Sequence, residues 1–128
     1  MRAKELMTTP AYTCGVHDTA EIAAQVMWER DCDALPVIDT DGHVAGVVSD
    51  RDICLAAYFQ RAPLSAIGIE NVMSSNVCTC RPDDDVSEVK RRMGDRQMRS
   101  LPVVDASGLP VGILSIENVA VGSRRHGE

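Results

Sequence analysis

Leu35-Pro36-Val37-Ile38-Asp39, followed by Gly42 and by Gly46-Val47-Val48-Ser49-Asp50-Arg51-Asp52, returns 66 positions later as Leu101-Pro102-Val103-Val104-Asp105, Gly108 and Gly112-Ile113-Leu114-Ser115-Ile116-Glu117-Asn118. On either side of this segment the register holds without a gap, residues 7–54 falling on residues 73–120. Further identities lie at Met7/Met73, Thr13/Thr79, Cys14/Cys80, Asp18/Asp84, Met27/Met93 and Arg30/Arg96. One supersecondary unit has been duplicated. Two similar halves related by a pseudo-two-fold are expected to share a cleft with two equivalent places for a ligand.

The order within a copy is strand, helix, strand, strand, helix. In the first, Ala11–Cys14 reads as a short strand, and Asp18 or Thr19 caps a helix carrying Ile22, Val26 and Met27 at helical spacing. Leu35–Ile38 is a strand with Pro36 at its start or edge, because proline has no N–H to give a ladder. Asp39-Thr40-Asp41-Gly42 is turn chemistry, Val44–Val48 returns to complete a hairpin, and Ser49 opens a second helix. The second copy repeats this with Val77–Cys80, Val86–Met93, Leu101–Val104, Pro110–Leu114 and a short helix from Ile116. Residues 1–62 and 63–128 form the two repeats, with a helical turn near Leu64–Ile67 in the join and a frayed tail over 122–128. The expected fold is α+β, two tandem β-α-β-β-α repeats packed through their sheets as one cooperative body.

Hydrophobic residues make up 45% of the 128 and charged residues 25%, the balance of a globular chain. A net charge of -6 argues against non-specific binding to nucleic acid or to an anionic membrane, which need a cationic surface. No apolar run approaches the ~20 residues that span a bilayer, and no signal-peptide core follows Met1-Arg2-Ala3-Lys4-Glu5; a cytoplasmic protein is expected. Five cysteines, 14, 32, 54, 78 and 80, without CxxC spacing disfavour a disulfide framework, and Cys14 and Cys80, repeat equivalents in strands, read as small hydrophobes. Cys78 and Cys80 are expected on opposite sheet faces, and His17, His43 and His126 share no ligand spacing, so no metal site is expected.

The two openings at Met7 and Met73, the Leu-Pro-Val-h-Asp strands and the Gly-h-h-Ser-x-x-Asp/Asn segments resemble the cystathionine β-synthase (CBS) domain. The chain is similar to a single tandem pair, the Bateman module, over residues 1 to about 122. The resemblance implies a free-standing regulatory module rather than an enzyme. It also implies binding of an adenosine-containing ligand (AMP, ADP, ATP or S-adenosylmethionine), a protein effector, and dimerisation into a disk of four repeats.

Ser49-x-x-Asp52 and Ser115-x-x-Asn118 read, from residue types alone, as helix capping boxes. A ligand role does not compete with capping: a helix start welcomes phosphate, and an acid there accepts from a ribose diol. Gly46 either lets backbone approach a sugar or serves close packing. As the resemblance implies, each site is composite. Site one would combine Ser49, Arg51 and Asp52 with Val77, Cys78, Met98, Arg99 and Ser100, the adenine lying among Val77, Cys78 and Met98. Site two, the weaker, would combine Ser115, Glu117 and Asn118 with Ala11, Tyr12, Asp33 and Ala34. Position 51 is Arg where 117 is Glu, and 99 is Arg where 33 is Asp, so site one is expected to prefer an anionic nucleotide. Arg91, Arg92, Arg96 and Arg99 form a basic cluster, either a solvated face or a docking surface. Tyr58 and Phe59 close a helix that, in the family, often lines the dimer interface.

Overall fold

The computed structural model describes residues 1–120 as two compact units whose boundaries cut across the duplication. One unit, here the first-repeat unit, is Tyr12–Val77; the second-repeat unit joins Met1–Ala11 to the chain from Cys78 onward. The expected tail at 122–128 lies outside the described residues.

In the first-repeat unit the order is β1 (Cys14–Gly15), α1 (Ala20–Arg30), β2 (Ala34–Ile38), β3 (Val44–Ser49) and α2 (Asp50–Gln60). β1 runs parallel to β2 and β2 antiparallel to β3, giving sheet order β1-β2-β3. The hairpin turn forms because the Asp39 carboxylate accepts from the backbone N–H groups of Asp41 and His43, while Gly42 takes a φ of 86° that side chains resist. Its counterpart joins β4 (Ser100–Val104) to β5 (Pro110–Ser115) by the same device, Asp105 accepting from Ser107 and Leu109, with Gly108 at φ 83°. The repeated Asp and Gly of the two copies are thus turn residues.

Helix starts follow the same local logic. Thr19, not Asp18, caps α1, its hydroxyl oxygen accepting from the Ile22 N–H at 3.4 Å. Asp18 instead accepts from Gly15 N–H at 2.7 Å, as Asp84 does from Arg81 at 2.9 Å, tying down the bend after the first strand. α1 buries Ala20, Ala23 and Met27, whereas the expected inward residue Ile22 is 40% exposed. The cap sets the helical phase, and small alanines allow a closer approach than the bulkier face would. In the second-repeat unit α3 (Val86–Asp95) is capped by Asp85 and buries Val86, Val89 and Met93.

The first strand of each copy is shorter than expected. Only Cys14–Gly15 forms β1, and Val77–Cys80 contributes one parallel bridge, Cys80 to Val103, at the position equivalent to Cys14–Val37. The assignment of Cys78 and Cys80 to opposite faces is corrected: both lie in the core of the second-repeat unit with Ala3, Leu101, Val103 and Leu114. Residues two apart along extended chain share a side. Burial, and then the nearby Asp18 and Asp84 carboxylates respectively, push the Cys14 and Cys80 thiols up to about 12, so both are neutral hydrophobes at ordinary pH.

The segments ahead of each first strand complete the units. Residues 69–77 lie in the first-repeat unit, where Val47 and Ser74 exchange backbone hydrogen bonds of 3.1 and 2.9 Å. Residues 1–11 do the same for the second-repeat unit, Thr8 pairing with Ile113 at 2.8 and 3.1 Å. This crossing explains two glycines. A Cβ on Gly46 would meet the Ser74 carbonyl oxygen and the Met73 sulfur, and one on Gly112 the Met7 sulfur at 2.7 Å and the Thr8 carbonyl oxygen at 3.0 Å. Gly46 therefore answers a close backbone approach within its own unit, and the two Met residues are its and Gly112's covers.

Among the described residues no helix is long and apolar enough to cross a membrane.

Candidate functional site

Each unit presents one corner where the Leu-Pro strand begins and the Ser-x-x-Asp/Asn helix starts. In the first-repeat unit Ala34 pairs with Ser49, and the Asp50 N–H donates to the Asp33 carbonyl at 2.9 Å. In the second-repeat unit Ser100 pairs with Ser115, and the Ile116 N–H donates to the Arg99 carbonyl at 2.8 Å. The structure thus brings Asp33 and Ala34 to Ser49, and Arg99 and Ser100 to Ser115, inside single units.

Ser49 and Asp52 form a capping box: the Ser49 hydroxyl oxygen accepts from Asp52 N–H at 3.1 Å, and Asp52 Oδ2 accepts from Ser49 N–H at 2.9 Å. Asp52 Oδ1 carries no hydrogen bond among the described residues, which leaves an acceptor at the half-buried start of α2. The second corner differs. Asn118 Oδ1 accepts the Ser115 hydroxyl at 2.7 Å and the Ser115 N–H at 3.4 Å, while Asn118 N–H donates back to the hydroxyl oxygen at 3.1 Å. The amide oxygen is occupied, so what Asn118 has left to offer is its NH₂, a donor where Asp52 presents an acceptor. Residues 116–120 are helical.

Ser49, Arg51, Asp52 and Val77 of site one belong to the first-repeat unit, and Cys78, Met98, Arg99 and Ser100 to the second. Of site two, Tyr12, Asp33 and Ala34 belong to the first-repeat unit and Ala11, Ser115, Glu117 and Asn118 to the second. Val77 is exposed, Met98 half-buried, and Cys78 and Ala34 are buried. Two contacts had no signature in the spacing of residues. The Arg30 guanidinium lies 4.8 Å from the centre of the Tyr12 ring, a cation–π contact. Arg99 Nη2 lies 3.3 Å from Glu117 Oε1. A hydrogen bond from its own backbone, and then Arg99, hold the Glu117 carboxyl below the usual range. The charges of Arg99 and Glu117, counted above for different sites, are partners of one another.

The basic cluster is largely engaged as well. Arg92 donates to the Thr79 carbonyl at 2.9 Å and lies 3.6 Å from Glu88 and 3.9 Å from Asp84. Asp39, Asp41 and His43 bring three possible ligand atoms within 4.8 Å of one another at the β2–β3 turn. The Asp39 carboxylate there is already the acceptor that shapes the turn.

The family model described as "CBS domain" matches residues 3–58 and 69–121. A homoserine O-acetyltransferase from Methanohalophilus mahii is 37% identical over 103 residues, which is 80% of this chain and 20% of that protein. The CBS domain-containing protein YhcV of Bacillus subtilis is 31% identical over 92% of this chain and 82% of its own length. The chain thus spans about a fifth of the acetyltransferases it matches, and most of YhcV. Among solved structures, the CBS domain pair of protein MJ0100, in complex with 5′-methylthioadenosine and S-adenosyl-L-methionine, superposes with a TM-score of 0.84 at 26% identity, covering 94% of this chain and 98% of that one.

Proposed function

The chain belongs to the CBS domain family, and from that premise we propose that it is a regulatory ligand-binding module whose ligand carries adenosine. AMP, ADP, ATP and S-adenosylmethionine are the candidate class, and occupancy is passed to a protein effector. The observation that carries this reading is the likeness to the MJ0100 pair, a complex with two adenosine compounds. The Ser49–Asp52 corner supports it chemically: the positive end of α2 lies there, and Asp52 keeps one carboxylate oxygen for a ribose hydroxyl. The proposed sites are those assigned above, site one around Ser49, Arg51 and Asp52 and site two around Ser115 and Asn118. The role is regulatory rather than catalytic, and five free cysteines fit a reducing, cytoplasmic setting.

Thermal shift and calorimetry with AMP, ADP, ATP, 5′-methylthioadenosine and S-adenosylmethionine test the reading. A ligand at 100 times its Kd should stabilise the chain by about 2.7 kcal/mol. Asp52→Ala should weaken binding at least tenfold. Because the same change removes half a capping box and about 1 kcal/mol of stability, affinity rather than melting temperature is the readout. No shift with any of the five overturns it.

A second reading, a dimeric interaction protein with vestigial ligand sites, has one observation in its favour. Leu55, Tyr58 and Phe59 on α2 are exposed, and so, on α1, is Trp28, to 87%. We propose a homodimer through the end of α2 under either reading, since Tyr58 and Phe59, packed on each other and exposed, call for a partner.

A further inference from the structure

The Arg99–Glu117 pair bears on which ligands the second-repeat corner accepts. Its geometry is that of a weak contact. A single Nη2–Oε1 distance of 3.3 Å joins two side chains exposed to 77% and 62%, with no second, parallel bond of the fork type. Pairs this exposed contribute little to stability. Their backbones are nevertheless tied, because Ile116 N–H donates to the Arg99 carbonyl, so guanidinium and carboxylate always start from the same corner. At the equivalent positions of the first-repeat unit the signs are interchanged, Asp33 for Arg99 and Arg51 for Glu117, and among the described residues no ion pair joins them. Among the described residues Arg51 thus has no ion-pair partner, whereas Arg99 has one.

We infer that Glu117 is a specificity-determining residue, an internal counter-ion that holds the Arg99 guanidinium until a ligand with stronger negative charge displaces it. The inference rests on the proposed adenosine-ligand reading and adds a charge filter to it. A phosphate group, offering several oxygens and up to two charges, meets the guanidinium bidentately and outcompetes one carboxylate contact. An uncharged adenosine compound cannot, and leaves the pair closed. Glu117 does not touch such a ligand; it acts through Arg99, as a positioning residue.

The test is Glu117→Gln, an isosteric change at an exposed position, with affinities for AMP and for uncharged 5′-methylthioadenosine measured side by side. AMP should bind roughly fivefold tighter, the ratio expected for freeing an exposed pair, and its affinity relative to 5′-methylthioadenosine should rise by at least about twofold. In an Arg99→Gln background the same substitution should no longer tighten AMP beyond about twofold. An unchanged AMP to 5′-methylthioadenosine ratio in Glu117→Gln, in a chain that still binds AMP, overturns the filter and leaves the reading standing. If wild-type chain binds neither compound, the filter and the reading fall together.

Discussion

Gly46 shows how a single residue can carry two sequence readings that coordinates separate. The Ser74 carbonyl crosses directly over its Cα, so a methyl there meets backbone that is itself held by the Val47–Ser74 bonds. At Gly112 the nearest obstacle is the Met7 thioether, the end of a flexible side chain, and the Thr8 carbonyl oxygen, at 3.0 Å, is tight but farther off than the Ser74 oxygen is from Gly46. We expect Gly46→Ala to cost about 2 kcal/mol and Gly112→Ala measurably less, read from urea unfolding of the two variants. Equal costs would mean that the leading segments do not lie over these strands as described. The hairpin residues were readable because their causes are local: Asp39 and Gly42 fold their own neighbours. So was the Ser49–Asp52 box, whose partners are three positions apart. The Arg99–Glu117 contact was not, because residue types give charge but not which cation meets which anion across 18 positions.

Among the elements, the strands paired by tight turns matched their expected bounds to within a residue or two, and those completed by distant chain did not. Ala11–Cys14 and Val77–Cys80 have strand-like composition, yet only two residues of the first and a bridge in the second find partners. The helices differ in what they hide. α3 turns three large or branched side chains inward and charges outward. α2 buries only Ile53 and leaves Tyr58 and Phe59 stacked edge to face, ring centres 5.0 Å apart, in solvent. Sedimentation should therefore report a dimer at micromolar concentration for the native chain. The double change Tyr58→Ser and Phe59→Ser should yield a folded monomer, with an unchanged far-ultraviolet spectrum. A variant that sediments as the native chain does would remove this face from the interface.

For the whole molecule, the duplication as sequence and the units as structure have different edges. The repeat boundary expected between residues 62 and 63 follows the internal homology, but Ile67 and Ile69 lie in the core of the first-repeat unit, and Ala3 in that of the second. A fragment of residues 63–128 lacks the Thr8 partner of β5 and the buried Ala3, and we expect it to be unfolded by circular dichroism. Adding a peptide of residues 1–11 should restore helical signal; a fragment that folds unaided would show the leading segment to be dispensable. Periodicity could not reveal this arrangement, because the partners of residues 1–11 lie far along the chain, Asp84 for Ala3 and Ile113 for Thr8. That distance has a bearing on biosynthesis. Leaving the ribosome, the Tyr12–Val77 unit holds every part of itself once residue 77 is out, whereas residues 1–11 must wait, their donors and acceptors met by water, until residues 82–86 and then β5 emerge. Made ahead of that unit, residues 1–11 find their place after it.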